Sequence, residues 1–243
     1  MLIKFLLTVV VVAWVAALLW LPSLLRDSRR RYLIAAFVAY VTLDAFITLL
    51  PMIAPALDLL GGSMNWTGKA LAVVLAASTL ALMLRRGFTG ADLGLQKPDP
   101  HSLPKIVLVS FAFLVADFLI MGRDPNVAAA STEYVLYEAT MPGLAEELAY
   151  RGILLAIANR LWSASARVWG TAISGGALLV AVLFGVVHGI EVTADLGVRV
   201  HWLYMIPPAI SALLFTWARN ASGSLLVPLL VHNAINLAHC IPF

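Results

Sequence analysis

GLAEELAYRGIL, residues 143–154, places Glu146, Glu147 and Arg151 together in a chain that is 62% hydrophobic and only 12% charged. Apolar runs of about 20 residues recur on both sides of this stretch, and the mean hydropathy over 243 residues is +0.94. A water-soluble globule with a polar surface is excluded; the expectation is an all-α, polytopic bundle of transmembrane helices. The three charges therefore sit in a segment otherwise suited to lipid, where an ionisable group marks function by default.

Apolar runs at about 2–21, 31–56, 66–86, 103–122, 127–160, 171–190, 201–219 and 223–241 predict about eight spans. The first has one lysine before it and Arg26, Arg29, Arg30 and Arg31 after it. That pattern predicts a retained helix with an outer N-terminus rather than a cleaved signal peptide. The fifth run is too long for one crossing and carries Pro142 and Gly143, so a break is expected just before the acidic pair. The longest polar connection, Arg85 to Pro104, reads as a loop. Arg26, Arg29, Arg30, Arg31, Arg85, Arg86, Lys97, Lys105, Arg160, Arg167 and Arg219 fall on one side, eleven in all. Lys4, Lys69, Arg123 and Arg199 fall on the other, four in all. The positive-inside rule then puts both termini outside. The net charge of +3 is spread over short loops and points to topology, not to nucleic acid. Cys240 is the lone cysteine, which excludes an internal disulfide and a cysteine metal site. One integrated membrane domain is expected, with residues 1–126 as four spans lacking a recognised motif and residues 127–243 carrying the chemistry.

On a helix Glu147 and Arg151 are four residues apart, acid first, the favoured order for a pair on one face. Arg151 is expected to neutralise Glu147. Glu146 points about 100° away, has no cation in its own helix, and is left to face a cavity as a candidate general base. A lone histidine on an apolar face is more often packed than functional, but two pass a geometric test together. Counted at 1.5 Å per residue from Arg160, Thr171 and Ser222, Glu146, His188 and His232 rise about 21, 25 and 15 Å, depths that overlap. Asn236 follows His232 by four residues and is expected to orient the imidazole or donate to a developing oxyanion. Gly185 and Gly189, a G-x-x-x-G pair, are expected to let the sixth span lie against the acidic helix. His101 and His201 read as loop and span-end residues, and His239 as packing. Asp44 and Asp117 lie within spans with no partner to name.

At these residues the chain resembles the CAAX-protease and bacteriocin-processing (CPBP, or Abi) family of intramembrane proteases. E-E-x-x-x-R stands as Glu146, Glu147 and Arg151, followed by Gly152. F-x-x-x-H stands as Phe184 and His188, and H-x-x-x-N as His232 and Asn236 after Ser224 and Pro228. The resemblance covers residues 131–240. It implies hydrolysis of a peptide bond, in a membrane-bound or lipid-modified protein or peptide, by a water held between Glu146 and the two histidines. It also implies a multi-pass protein of the lipid bilayer, placed in a bacterial plasma membrane, with no nucleic-acid partner. Eukaryotic relatives remove the tripeptide after a prenylated cysteine, and bacterial relatives are linked to peptide maturation and bacteriocin immunity.

Two site chemistries remain open. In one, Glu146 acts as base and His188, His232 and Asn236 polarise the carbonyl without metal. In the other, Glu146, His188 and His232 ligate Zn2+. No H-E-x-x-H is present, and a ligating Glu146 would be a poorer base, so the metal-free site is the reading taken. No G-x-S-x-G is present either. A proton-coupled transporter, the rival class, would show an inverted repeat with paired broken helices; the sequence offers one break. A non-catalytic membrane binding protein of the same fold is the other rival.

Overall fold

The computed structural model describes residues 27–121, 131–192 and 197–240. The first apolar run and its outward N-terminus lie outside the described residues. The architecture is mostly helical. α1 (Ser28–Ile53), α2 (Trp66–Arg85) and α4 (Leu103–Met121) are the long apolar helices. Short α3 (Gly90–Leu93) interrupts the long polar loop. Then come α5 (Thr132–Glu138), α6 (Met141–Glu147), a π-helical segment (Leu148–Leu154) and α7 (Leu155–Leu161). The chain closes with α8 (Gly175–Gly189), α9 (Trp202–Ser222) and α10 (Leu226–His239).

The all-α expectation is corrected by two small antiparallel hairpins. β1 (Ser165–Val168) pairs with β2 (Thr171–Ser174), and β3 (Ile190–Val192) with β4 (Val198–Val200). Trp169 and Gly170, at φ 49° and 87°, close the first as a two-residue loop of the kind that matches strand twist. The sixth run consequently begins as a strand, and its helix starts at Gly175 rather than Thr171. That lowers His188 to about 20 Å along its helix, closer to the level of Glu146.

Among the described residues three helices are long and apolar enough to cross a membrane, over Ser28–Ile53, Trp66–Arg85 and Leu103–Ile120. The count of about eight is therefore not reproduced. The fifth run is divided among short helices, while α8 with 15 residues and α10 with 14 extend only about 21–23 Å against a hydrocarbon core of about 30 Å. The break in the fifth run falls at Ala139 and Thr140. Pro142 then sits in the first turn of α6, where its missing N–H is harmless.

One apolar core joins Phe37 and Val41 of α1 to Leu80 of α2, Ile153 and Leu154 of the π segment and Val180 of α8. A second joins Ile106 of α4 to Phe215 and Trp217 of α9 and Ile235 of α10. The loop between α2 and α4 is pinned rather than loose. Leu225 N–H donates to Gly94 O at 2.8 Å, Asp99 N–H to Ser222 O at 2.9 Å, and the Arg219 guanidinium to the carbonyls of Ala91 and Asp92. α4 keeps an apolar face outward, with Leu108 at 69% and Leu119 at 78% exposure, as a lipid-facing surface does. Gly185 and Gly189 allow close approach, but to α9 and not to the acidic helix. A Cβ on Gly189 would lie 2.7 Å from the Met205 Cα, and one on Gly185 would meet Ala209 Cβ at the same distance. Among the described residues α8 and α9 form the most extensive helix contact, which those glycines permit.

Candidate active site

Adjacent residues on a helix diverge by about 100°, so Glu146 and Glu147 serve different walls of the bundle. Glu147 is fully buried and its Oε1 accepts from Arg151 Nη1 at 2.9 Å, the i,i+4 pair expected from sequence. The same oxygen meets His232 Nδ1 at 2.8 Å. Arg151 is also fully buried, with its guanidinium carbon 4.6 Å from the Phe184 ring centre and 5.1 Å from that of Phe215. The aromatic faces thus supply the attraction that its unpaired Nε and Nη2 do not obtain from hydrogen bonds. Phe215 also stacks on the His232 ring at 4.8 Å, fixing the imidazole plane.

Glu146 is not left unmatched. Lys69 Nζ, from the first turn of α2, lies 2.6 Å from its Oε1. The run 66–86 contains Lys69, which the count of charges assigns to the outer side. Asn65 caps α2 by accepting from Gly68 N–H, and Lys69 falls in the first turn of that helix, turned inward to the carboxylate. The pairing has a plain cause: a carboxylate withdrawn from water needs a cation, and α2 packs directly on α6. Glu133 of α5 holds that end of α2 in place, its carboxylate accepting from the Ser63 hydroxyl at 2.9 Å and the Trp66 indole at 3.0 Å.

His188 ends α8 with Nδ1 2.6 Å from the Phe184 carbonyl. A carbonyl only accepts, so Nδ1 carries the proton, and Nε2 is the free nitrogen. The carboxylate of Glu147 imposes the same tautomer on His232. Asn236 does not orient His232, as the sequence had suggested. Its amide donates to Glu138 Oε2 at 3.0 Å, because the charged Glu147 on the facing element is the stronger acceptor for the ring. The neighbouring Asn233, passed over in the sequence, ties α10 to the start of α6. It accepts from Gly143 N–H at 2.8 Å and donates to Thr140 O at 3.2 Å. Asp117 and His239 pair across α4 and α10 at 2.8 Å, which gives each a partner that sequence spacing could not name.

Glu146, His188, His232 and Asn236 line one cavity of about 840 Å³, which extends to Asp117 and His239. Glu147 and Arg151 stand behind its wall. Among the described residues no group of three His, Cys, Asp or Glu side chains is placed to hold a metal ion, and Glu146 Oε1 is taken up by the Lys69 ammonium.

The fold and site together define a class: an apolar helical bundle carrying a carboxylate and two imidazoles around a shared internal cavity. Residues 128–238, which hold every motif position, match the family model of the Rce1-like type II CAAX prenyl endopeptidases. No curated protein and no solved structure matches the chain. The match agrees with the CPBP resemblance drawn from the three motifs and, with the apolar helices, fits a membrane-bound hydrolase of the CAAX-protease type.

Proposed function

We propose that the protein is an intramembrane endopeptidase that hydrolyses peptide bonds of membrane-associated or lipid-modified substrates with a water activated by Glu146. The observation that carries this reading is the convergence of Glu146, His188, His232 and Asn236, drawn from three separate sequence motifs, on one cavity. Lys69 occupies Oε1, and Oε2 accepts no hydrogen bond from the described residues, so Oε2 takes the proton of the water. The second hydrogen stays on the oxygen and donates a hydrogen bond to an imidazole Nε2. The resulting hydroxide adds to the scissile carbonyl carbon, and the oxygen that gains charge receives the amide hydrogen of Asn236 not given to Glu138. The carbon–nitrogen bond then breaks as Glu146 passes its proton to the leaving amine, which regenerates the carboxylate. Glu147 and Arg151 act through His232 by holding its ring.

We place residues 127–243 as the catalytic part and 1–126 as a four-span partner to it, in a chain of about eight crossings with both termini outside a bacterial plasma membrane. The test uses purified wild type, Glu146→Gln and His232→Ala in lipid vesicles with membrane-anchored peptides. Cleavage by wild type only, unchanged by a chelator and by added zinc, is expected. Equal cleavage by all three folded proteins would refute the reading, and loss of wild-type activity on chelation would refute its metal-free form.

A further inference from the structure

Glu146, His188 and Lys69 form a partition. On one face lies the large cavity, and on the other a smaller one of about 200 Å³, lined by Tyr40, Asp44 and Thr48 of α1 and Tyr150 of the π segment. Nothing in the motifs accounts for this second chamber. Its walls carry two polar atoms without a hydrogen-bond partner among the described residues, the Tyr40 hydroxyl and Asp44 Oδ1. Tyr40 is only 6% exposed, and a buried hydroxyl with no partner is unfavourable unless something polar reaches it. The ring offers a hydroxyl that donates and accepts, a carboxylate that only accepts and an ammonium that only donates. A small neutral molecule that both donates and accepts satisfies all three. Lys69 already supplies the positive charge at Glu146, so a cation has no place there. At about 30 Å³ per molecule the space holds roughly six waters.

A peptide seated in the large cavity covers the face of Glu146 that looks onto it and expels solvent from that side. Hydrolysis nonetheless consumes one water per bond cleaved. We propose that the small chamber is the water store of the reaction, holding ordered waters on Tyr40, Asp44 and Lys69 and delivering the nucleophile to Glu146 from the side opposite the peptide. Tyr40 and Asp44 are then positioning residues, contributed by the part of the chain outside the family match. The inference rests on the endopeptidase reading and adds to it where the water comes from.

Tyr40→Phe removes one hydroxyl and leaves the shape, while Ala45→Leu fills the chamber from α1 without touching the partition. Both are expected to lower kcat about tenfold or more with KM for the peptide unchanged, since the chamber never meets the substrate. Asp44→Asn, which still hydrogen-bonds water, should retain most of the activity that Asp44→Leu loses. Unchanged kcat in folded Tyr40→Phe and Ala45→Leu would overturn the proposal, and so would a raised KM at constant kcat, which would make the chamber a peptide subsite. A high-resolution structure of the wild type in lipid provides a readout that does not depend on activity. Ordered waters against Tyr40 and Asp44 are expected, and a dry or lipid-filled chamber sinks the store even if Glu146-dependent cleavage is found. Absence of that cleavage would remove the endopeptidase reading separately.

Discussion

Glu147→Leu removes the acceptor from two groups at once. Arg151, fully buried, loses its sole side-chain hydrogen bond, and His232 loses the partner of Nδ1. Two guanidinium nitrogens, Nε and Nη2, already lack partners among the described residues, and Glu146, the next carboxylate, is engaged by Lys69. Breaking a buried ion pair from one side costs about 3–5 kcal/mol. For a chain of this size that lowers Tm by about 6–20 °C. The double variant Glu147→Leu/Arg151→Met replaces the pair with apolar volume among Phe184, Phe215 and Tyr150, and such replacements are close to neutral. It should recover most of the lost Tm. Activity should not follow stability: in both variants the His232 ring keeps its ring contacts with Phe215 and Phe184 but loses its hydrogen-bond anchor, and kcat should fall on the order of 100-fold. Thermal unfolding in detergent, read beside peptide cleavage, separates the two effects. A double variant as unstable as the single one would show that the ion pair is not the source of the loss. Full activity in the double variant would show that Glu147 does not position His232.

Gly143→Ala should destabilise by about 1–3 kcal/mol, because the added methyl runs into Asn233 and lies 2.9 Å from the Leu229 carbonyl. A lower Tm with the separation of α6 and α10 increased in a structure would check it, and an unchanged Tm would refute it. In the α2–α4 loop the Thr89 backbone N–H, ahead of its hydroxyl and of Arg160, holds the Asp92 carboxyl below the usual carboxylate range. A depressed carboxyl stabilises the fold above its unfolded value of about 3.9 and loses that contribution as pH falls through the lower folded value. Acidification from about pH 5 to pH 3 should therefore loosen the segment around α3, seen as faster proteolysis there. Thr89→Ala keeps the backbone N–H that is the largest cause, so most of that pH dependence should remain, while loss of the capping box should cost about 1 kcal/mol.

The spacing rule that paired Glu147 with Arg151 works because both residues belong to one helix and the interaction is local. The same rule could place Glu146 on another face but could not say what stands opposite, since Lys69 is 77 residues away and the pairing depends on how α2 packs. A hint was present: Lys69 lies inside the apolar run 66–86, one turn past Asn65, a good N-cap, where a charge needs a partner from another helix. Asn236 was legible as a cavity residue but not in its bonding, because helical phase fixes direction and not the competition between acceptors. The hairpins were missed because Thr171 to Ser174 is apolar enough to extend the run behind it. Only the two-residue loop at Trp169 and Gly170 distinguishes strand from helix there.

Placing two acids side by side serves the chemistry through burial. A single carboxylate asked both to hold His232 and to accept a proton from water would have to leave its anchor at every turnover. In the proposed mechanism the tasks fall to neighbours facing different walls, and each has its own cation: Arg151 from the same helical run for the anchor, Lys69 from α2 for the base. The anchor is fully buried and both its partners, Arg151 and His232, lie within residues 128–238. The base is not self-sufficient in that way. Its cation comes from α2, and the chamber behind it is walled by α1. A carboxylate drawn largely out of water is stabilised in its charged form by a cation at contact distance, which for Glu146 is the Lys69 ammonium of α2. The N-terminal helices, which carry none of the motifs, are thereby part of the proposed reaction centre on electrostatic grounds.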